Sequence, residues 1–346
     1  CATTSPKGPH MEVCSVDLAK KVLIIAEAGN NHEGDFGLAR ELVSAAAATG
    51  VDAVKFQTIV PERLVSPAET ARVAQLSKYQ LSPDQFTELS ELAAKEGIAF
   101  LSTPFDTGSV DVLDPIVSAF KIASGDNNFV ALLEAVAAKG KPILLSGGIS
   151  TIAELARSKA VIESVWAEHD VAPTLVVLHC IAAYPAPPEE ANLGAVRTIA
   201  KELGVVSGYS DHTMGNEAAV LSVALGGRAI EKHFTLSKTQ SEFRDHQLSA
   251  DPGEMADLVT RVRAAEAMIG DGDKRKMTAE DAVAQAARRS IAAARSLQAG
   301  DVLSADDITW LRPAGGLEPG RESLVLGRRL TRAVASGEQI LADMVE

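Results

Sequence analysis

Four histidines and two lysines carry most of the chemistry legible in this sequence. His212 stands in Ser210-Asp211-His212 and His233 in Glu231-Lys232-His233, each at the end of a short apolar run. Two imidazoles with carboxylates beside them and no C-x-x-C suit Mn²⁺, Fe²⁺, Co²⁺ or Zn²⁺, with coordination positions left for water and substrate. A hydrogen-bonded structural histidine is the competing reading for either one alone. His32 and His179 close similar runs and His246 follows the last of them, whereas His169 and His10 fall elsewhere.

Lys55 and Lys121 interrupt otherwise apolar runs, Ala53-Val54-Lys55-Phe56 and Ala119-Phe120-Lys121-Ile122. A buried lysine is costly unless it meets a negative partner. Three readings stay open: a structural Lys–Glu pair, two cations aimed at a phosphate or carboxylate, or a Schiff-base lysine. Ser124-Gly125 and Ser146-Gly147-Gly148 add hydroxyl and backbone N–H donors of the kind found in barrel phosphate sites. Glu27, Gln57, Thr103, Asp106, Asp126 and Ser210 close or follow their own runs. In the tail, Arg312 sits in an apolar, turn-rich string, Leu311-Arg312-Pro313-Ala314-Gly315-Gly316; Arg288-Arg289 and Arg328-Arg329 read as solvated faces.

These residues recur at one place in a repeating pattern, and that pattern must position them. From residue 22 onward a short apolar run, a polar loop and an Ala-rich helical stretch alternate. Eight runs fit, at 22–26, 53–56, 98–101, 119–122, 142–145, 175–178, 205–208 and 228–231. Continuously apolar, β-branched runs suit parallel strands covered on both faces. Helical spacing is legible over 37–48, 83–95, 129–139, 151–167 and 252–269, with capping starts such as Ser82-Pro83-Asp84. Eight βα units predict an α/β fold, a (β/α)8 TIM barrel over residues 21–270, and no G-x-G-x-x-G follows the first run. Catalytic groups of such barrels project from the C-terminal strand ends, where the polar residues above fall. Residues 271–287 read as a charged linker and 288–346 as a small β-rich domain, with an internal echo between 296–303 and 333–340. Residues 1–20 read as an N-terminal arm behind a tag remnant, Gly8-Pro9-His10-Met11, with no apolar signal core.

Of 346 residues, 46% are hydrophobic and 23% charged, which is ordinary globular composition, and the net charge of −13 argues against nucleic-acid and anionic-membrane partners. No run of 18 apolar residues predicts a membrane span. Three cysteines, Cys1, Cys14 and Cys180, without a C-x-x-C exclude a disulfide framework and point to a cytoplasmic protein.

The strings themselves carry a resemblance. Ala26-Glu27-Ala28-Gly29-Asn30-Asn31-His32-Glu33-Gly34-Asp35, Val54-Lys55-Phe56-Gln57-Thr58 and Ser102-Thr103-Pro104-Phe105-Asp106 are three of them. With Lys121-Ile122-Ala123-Ser124-Gly125-Asp126, Ser210-Asp211-His212-Thr213 and Glu231-Lys232-His233-Phe234-Thr235, they resemble the N-acetylneuraminate (sialic acid) synthase family. That family includes the legionaminic and pseudaminic acid synthases. The match runs in order from about residue 20 to the C-terminus. The tail resembles the family's antifreeze-like (SAF) domain and its R-P-x-x-G turn.

The resemblance implies condensation of phosphoenolpyruvate with an N-acetylated aldose, either N-acetylmannosamine or a diacetamido-trideoxyhexose. It implies His212 and His233 as ligands of a divalent ion, chiefly Mn²⁺, with Mg²⁺ or Co²⁺ as substitutes. Glu27, Lys55, Lys121 and Glu231 would be catalytic, Glu27 as proton carrier or water positioner. Gln57, Thr103, Ser124, Asp126, Ser146, His179, Tyr184, Ser210 and Asp245 would bind substrate. Arg312 would reach the partner's site in a domain-swapped homodimer. Three places depart from the family pattern: Ile181-Ala182, where Thr-Asn or Thr-Ser is common, Gly147 for Thr, and Phe243-Arg244 for Gly-Pro. His179 leans toward the sialic and legionaminic members. A Schiff-base aldolase and a non-catalytic carbohydrate- or ice-binding role are the alternatives. The former needs no histidine pair, and the latter does not need so many polar strand ends.

Overall fold

The computed structural model describes residues 11–346, so the tag-remnant reading of residues 1–10, with His10, lies outside the described residues. Two compact units divide at Gly270 and Asp271. In the first, eight parallel strands run β1 (Leu23–Gly29), β2 (Ala53–Thr58), β3 (Ala99–Pro104), β4 (Phe120–Ile122), β5 (Ile143–Ser146), β6 (Leu175–Cys180), β7 (Val206–Asp211) and β8 (Ala229–His233). They are hydrogen-bonded in the order β3-β2-β1-β8-β7-β6-β5-β4. β3 and β4 lie side by side at the two ends of that order, which makes a nearly closed (β/α)8 barrel.

Why the runs are apolar throughout follows from the two surfaces each strand buries. Leu23, Ile25, Ala53, Leu101, Ala119, Leu144, Val176, Leu178 and Ala229 fill the barrel interior, where Val13, Val16 and Leu18 of the preceding arm join them. Ile24, Ala26, Val54, Phe56, Phe100, Ile122, Leu145 and Val177 point outward into the layer beneath the helices. Period-two alternation therefore separates two apolar sets rather than an apolar set from a wet one.

Helices cover the outer layer at 36–48, 83–95, 107–113, 130–137, 152–168, 194–203, 217–224 and 252–269. Capping boxes at Ser82/Gln85, Thr151/Glu154 and Asp251/Glu254 set three of their starts. The helices at 107–113, 194–203 and 217–224 escaped the periodicity argument; two of them have fewer than ten residues, too few for the apolar stripe to stand out. An additional helix, Thr70–Tyr79, stands in the loop after β2. Among the described residues no helix is long and apolar enough to cross a membrane.

The second unit pairs β9 (Ser290–Ala293) with β10 (Ile308–Leu311) antiparallel over a core of Ile291, Leu297, Leu303, Val325, Leu330, Val334 and Ile340. The two echoing segments meet across an antiparallel bridge between Leu297 and Val334. A short helix, Asp281–Ala287, occupies part of the predicted linker.

Candidate active site

Strand register places the reactive groups. Along each strand the inward parity that buries Leu23, Ile25, Ala53 and Ala229 continues toward the C-terminal end, where it delivers Glu27, Lys55, Gln57, Thr103, Lys121, Ser146, Cys180, Ser210, Glu231 and His233. Glu27 is paired in register with Lys55 on one side and His233 on the other, and Ser210 with Cys180 and Glu231. These residues line a cavity of about 990 Å³, together with Ser124, Tyr184, His212 and Asp245.

Its floor is a buried charge cluster. Lys55 Nζ lies 2.7 Å from Glu27 and 3.7 Å from Glu231, and it donates to Thr103 Oγ1 at 3.0 Å. Lys121 Nζ donates to Ser146 Oγ at 2.6 Å and stands 3.9 Å from Glu231, which also accepts from Ser210. Gln57 Nε2 donates to the free oxygen of Glu27. Burial pushes the Glu27 carboxyl above its usual range against the pull of Lys55. At Glu231 burial is outweighed by Lys121 and Lys55, so that carboxyl is held low. Burial also works against Lys55, but Glu231 and Glu27 outweigh it and raise the ammonium; at Lys121 burial wins over Glu231 and lowers it. Burial thus favours the protonated form of Glu27, while the two ammonium groups favour the ionised form of Glu231.

Above the floor stand the two imidazoles, ring centroids 5.3 Å apart. His212 Nδ1 donates to the Ile181 carbonyl at 2.7 Å, which leaves Nε2 as the lone-pair nitrogen; His233 buries Nδ1 without a partner. Among the described residues no three His, Cys, Asp or Glu side chains converge as a ligand set. Two cavity-lining imidazoles 5.3 Å apart, one oriented by a backbone carbonyl, fit an ion that takes its remaining ligands from water and substrate. Tyr184 packs on His212 at 4.1 Å, and the Arg244 guanidinium covers Tyr184 at 4.8 Å.

Not every expected residue reaches this cavity. His179 takes the outward parity of β6: its Nε2 meets the Ala191 carbonyl at 2.8 Å and its ring packs on Tyr209. Proximity to a strand end does not determine which face a side chain takes, and His179 does not line the cavity. Asp126 ends the turn Ser124–Asp126, half-buried, and does not line the cavity, although its neighbours Ser124 and Gly125 do. Lys232 faces outward as well, buried against Asp211 at 2.8 Å. Arg312 is exposed just beyond β10 in the second unit. Several lining residues escaped sequence reasoning, among them Arg72, Gln75 and Tyr79. Asn127 escaped too. Its buried amide donates to the Ser146 and Gly148 carbonyls and its oxygen accepts from Ser150, so it holds the loop after β5.

A (β/α)8 barrel with buried Lys–Glu pairs and two imidazoles at its C-terminal strand ends has the arrangement of a barrel enzyme's active site. The chain belongs to the NeuB family, whose model matches residues 42–274, and the SAF domain model matches residues 288–346. It is 44% identical over 317 residues to an uncharacterized protein of Methanocaldococcus jannaschii, covering 91% of this chain and 92% of that one. With the N,N'-diacetyllegionaminic acid synthase of Legionella pneumophila it shares 38% identity over 93% of this chain and 94% of the relative. Among solved structures, the N-acetylneuraminic acid (sialic acid) synthetase of Leptospira borgpetersenii superposes with a TM-score of 0.71 at 33% identity, covering 76% of this chain and 90% of that chain. The protein is an enzyme of this synthase class, a transferase.

Proposed function

We propose that this enzyme condenses phosphoenolpyruvate with an N-acetylhexosamine-type aldose, N-acetylmannosamine or a diacetamido-trideoxyhexose, to give a nine-carbon ulosonic acid and phosphate. The observation that carries the reading is the buried Lys55–Glu27 and Lys121–Glu231 cluster set beside the His212/His233 pair. In this reaction C3 of the enol attacks the aldehyde carbon, positive charge develops at C2, water adds there, and phosphate leaves with C–O cleavage.

Lys55 and Lys121, with Thr103, Ser124, Ser146 and Ser210, would bind the carboxylate and phosphate of the enol substrate. Glu27, raised by burial, would manage the proton of the attacking water, and Glu231 would stay ionised to fix both lysines. Gln57, Tyr184 and Asp245 would line the sugar site. A divalent ion held by His212 and His233, Mn²⁺ first, with Mg²⁺ or Co²⁺ as substitutes, would supply Lewis-acid polarisation of the aldehyde. Arg312 would come from a second copy of the chain in a domain-swapped homodimer, a reading supported by the family resemblance. Free, buried Cys14 and Cys180 suit a cytoplasmic setting.

The test is phosphate release from phosphoenolpyruvate with Mn²⁺ across a panel of N-acetylated aldoses, with the product identified by mass. Release with one sugar and the matching nine-carbon acid is expected. A protein that binds phosphoenolpyruvate yet releases no phosphate with any aldose would overturn it. His212→Ala and His233→Ala are each expected to abolish turnover with the fold intact by circular dichroism; full turnover in chelator-treated buffer would refute the metal assignment.

A further inference from the structure

Behind the imidazole pair, on the outer face of the sheet, lies a second set of charges to which the proposed reaction gives no part. On β8 the outward positions are Ile230, Lys232 and then Phe234 just beyond the strand; Ile230 and Phe234 belong to the apolar layer beneath the helices. Lys232 interrupts that layer and meets Asp211, its register partner on β7, at 2.8 Å, with the two side chains only 1% and 0% exposed. Apolar residues of similar volume in place of a buried ion pair are often as stable or more so, so stability alone does not account for this one. Its position in the chain accounts for it better. Lys232 adjoins His233, and Asp211 adjoins His212. Asp211 Oδ1 accepts from the backbone N–H and from the hydroxyl of Thr213, each at 2.8 Å, an Asx turn that closes around His212. Lys232 Nζ donates to Asp211 Oδ2 at 2.8 Å and to the Thr213 carbonyl at 2.5 Å. One ammonium therefore grips the residue before His212 and the residue after it.

We propose that Lys232 and Asp211 are positioning residues, a clamp across β7 and β8 that sets the 5.3 Å separation of the His212 and His233 rings and with it the affinity for the divalent ion. The inference rests on the metal reading under Proposed function and concerns what holds the two imidazoles in place. His212 has anchors of its own: Nδ1 on the Ile181 carbonyl, and a backbone carbonyl that accepts from the Ala186 N–H at 2.9 Å. The His233 ring has no such anchor at Nδ1, which is buried without a partner among the described residues. Where that ring stands therefore follows from where its backbone stands. β8 stays paired with β1 as far as His233, but its pairing with β7 ends at Lys232 and Asp211. Past that point no ladder bond ties His212 to His233, and the clamp takes over from the ladder. Two ligands must reach one ion within a few tenths of an ångström, and removing the groups that orient them costs roughly ten- to a hundredfold in affinity.

The experiment measures the Mn²⁺ affinity of the full chain without substrates, from the electron paramagnetic resonance of free Mn²⁺, together with the melting temperature. The variants are Asp211→Asn, Lys232→Met and the two combined, with His212→Ala as the control that removes a ligand. The outcomes differ in sign. A clamp predicts that all three variants weaken Mn²⁺ binding, by roughly tenfold or more. A charge effect alone predicts weaker binding in Asp211→Asn, which leaves a cation unpaired, and equal or tighter binding in Lys232→Met, which leaves an anion unpaired. It also predicts no change when the two are combined. A pair that serves only the fold predicts a lower melting temperature with the Mn²⁺ affinity of the folded protein unchanged. Either of these last two patterns would overturn the inference. The combined variant removes both charges at once and is the one a buried site tolerates best, so it decides the outcome if a single variant does not fold. Loss of folded protein in all three would assign the pair to folding and overturn the inference likewise. A wild type that binds no Mn²⁺, or a His212→Ala variant that binds it as tightly as wild type, would refute the metal reading itself, and the clamp's role falls with it.

Discussion

At the scale of single residues, the floor cluster has the most to lose. Lys55 stands between Glu27 and Glu231, all three buried, so Lys55→Met takes from Glu27 its ammonium partner and leaves Glu231 to Lys121 and Ser210. Breaking a buried pair from one side costs about 3–5 kcal/mol, and urea denaturation should show a loss of that size. A smaller loss would mean that Glu27 takes up a proton cheaply. His32 offers a pH test. Burial outweighs Asp35 and Glu33 and holds its imidazole down to about 4 from an ordinary 6.5. The folded chain keeps His32 neutral where the unfolded chain takes up a proton, so stability is full above 6.5 and falls as the pH drops toward 4. The expected loss over that window is up to about 3 kcal/mol, and His32→Gln should remove it. Ile149 is different again: a β-branched residue at φ +52°, 78% exposed on the cavity rim. The conformation is strained, so Ile149→Gly should leave the melting temperature at or above wild type. A clear drop in melting temperature would show that the side chain is packed rather than strained.

Between residue and fold, the elements are held by a few close approaches. Gly208 on β7 has no room for a side chain, since a Cβ there would sit 2.3 Å from the Ala229 carbonyl oxygen and 2.6 Å from Leu178. Gly208→Ala must therefore push β8 away from β7, and with it Ser210 and Glu231. Loss of soluble folded protein, or a drop of about 2 kcal/mol or more, is expected. The loop after β5 is pinned by Asn127 and by the Thr151 cap of helix 152–168. Removing the cap in Thr151→Ala should cost about 1 kcal/mol in thermal or urea unfolding. Neither device showed in the sequence, because one asparagine or one glycine leaves no periodic trace.

For the whole molecule, the proposed exchange of Arg312 between copies has a direct test. His212→Ala and Arg312→Ala chains are each expected to be impaired, and a randomly reassociated one-to-one mixture of the two should regain about a quarter of wild-type turnover. That follows because half of the random dimers are mixed and each holds one complete site. No recovery in verified mixed dimers would mean that Arg312 serves its own chain or none.

The sequence by itself determined the barrel, because eight continuously apolar runs separated by amphipathic stretches have few other ways to bury both strand faces. It also named most of the floor, since a lysine inside an apolar strand declares a buried partner before the partner is known. Which face each side chain takes was decided only in three dimensions: His179 and Cys180 are adjacent, yet one closes the outer layer and the other lines the cavity. The pairing of Lys55 with two carboxylates from β1 and β8, and the meeting of helix 70–79 with Phe243, join residues far apart in the chain. Barrel closure and register set those distances, and they are properties of the folded sheet rather than of any one segment.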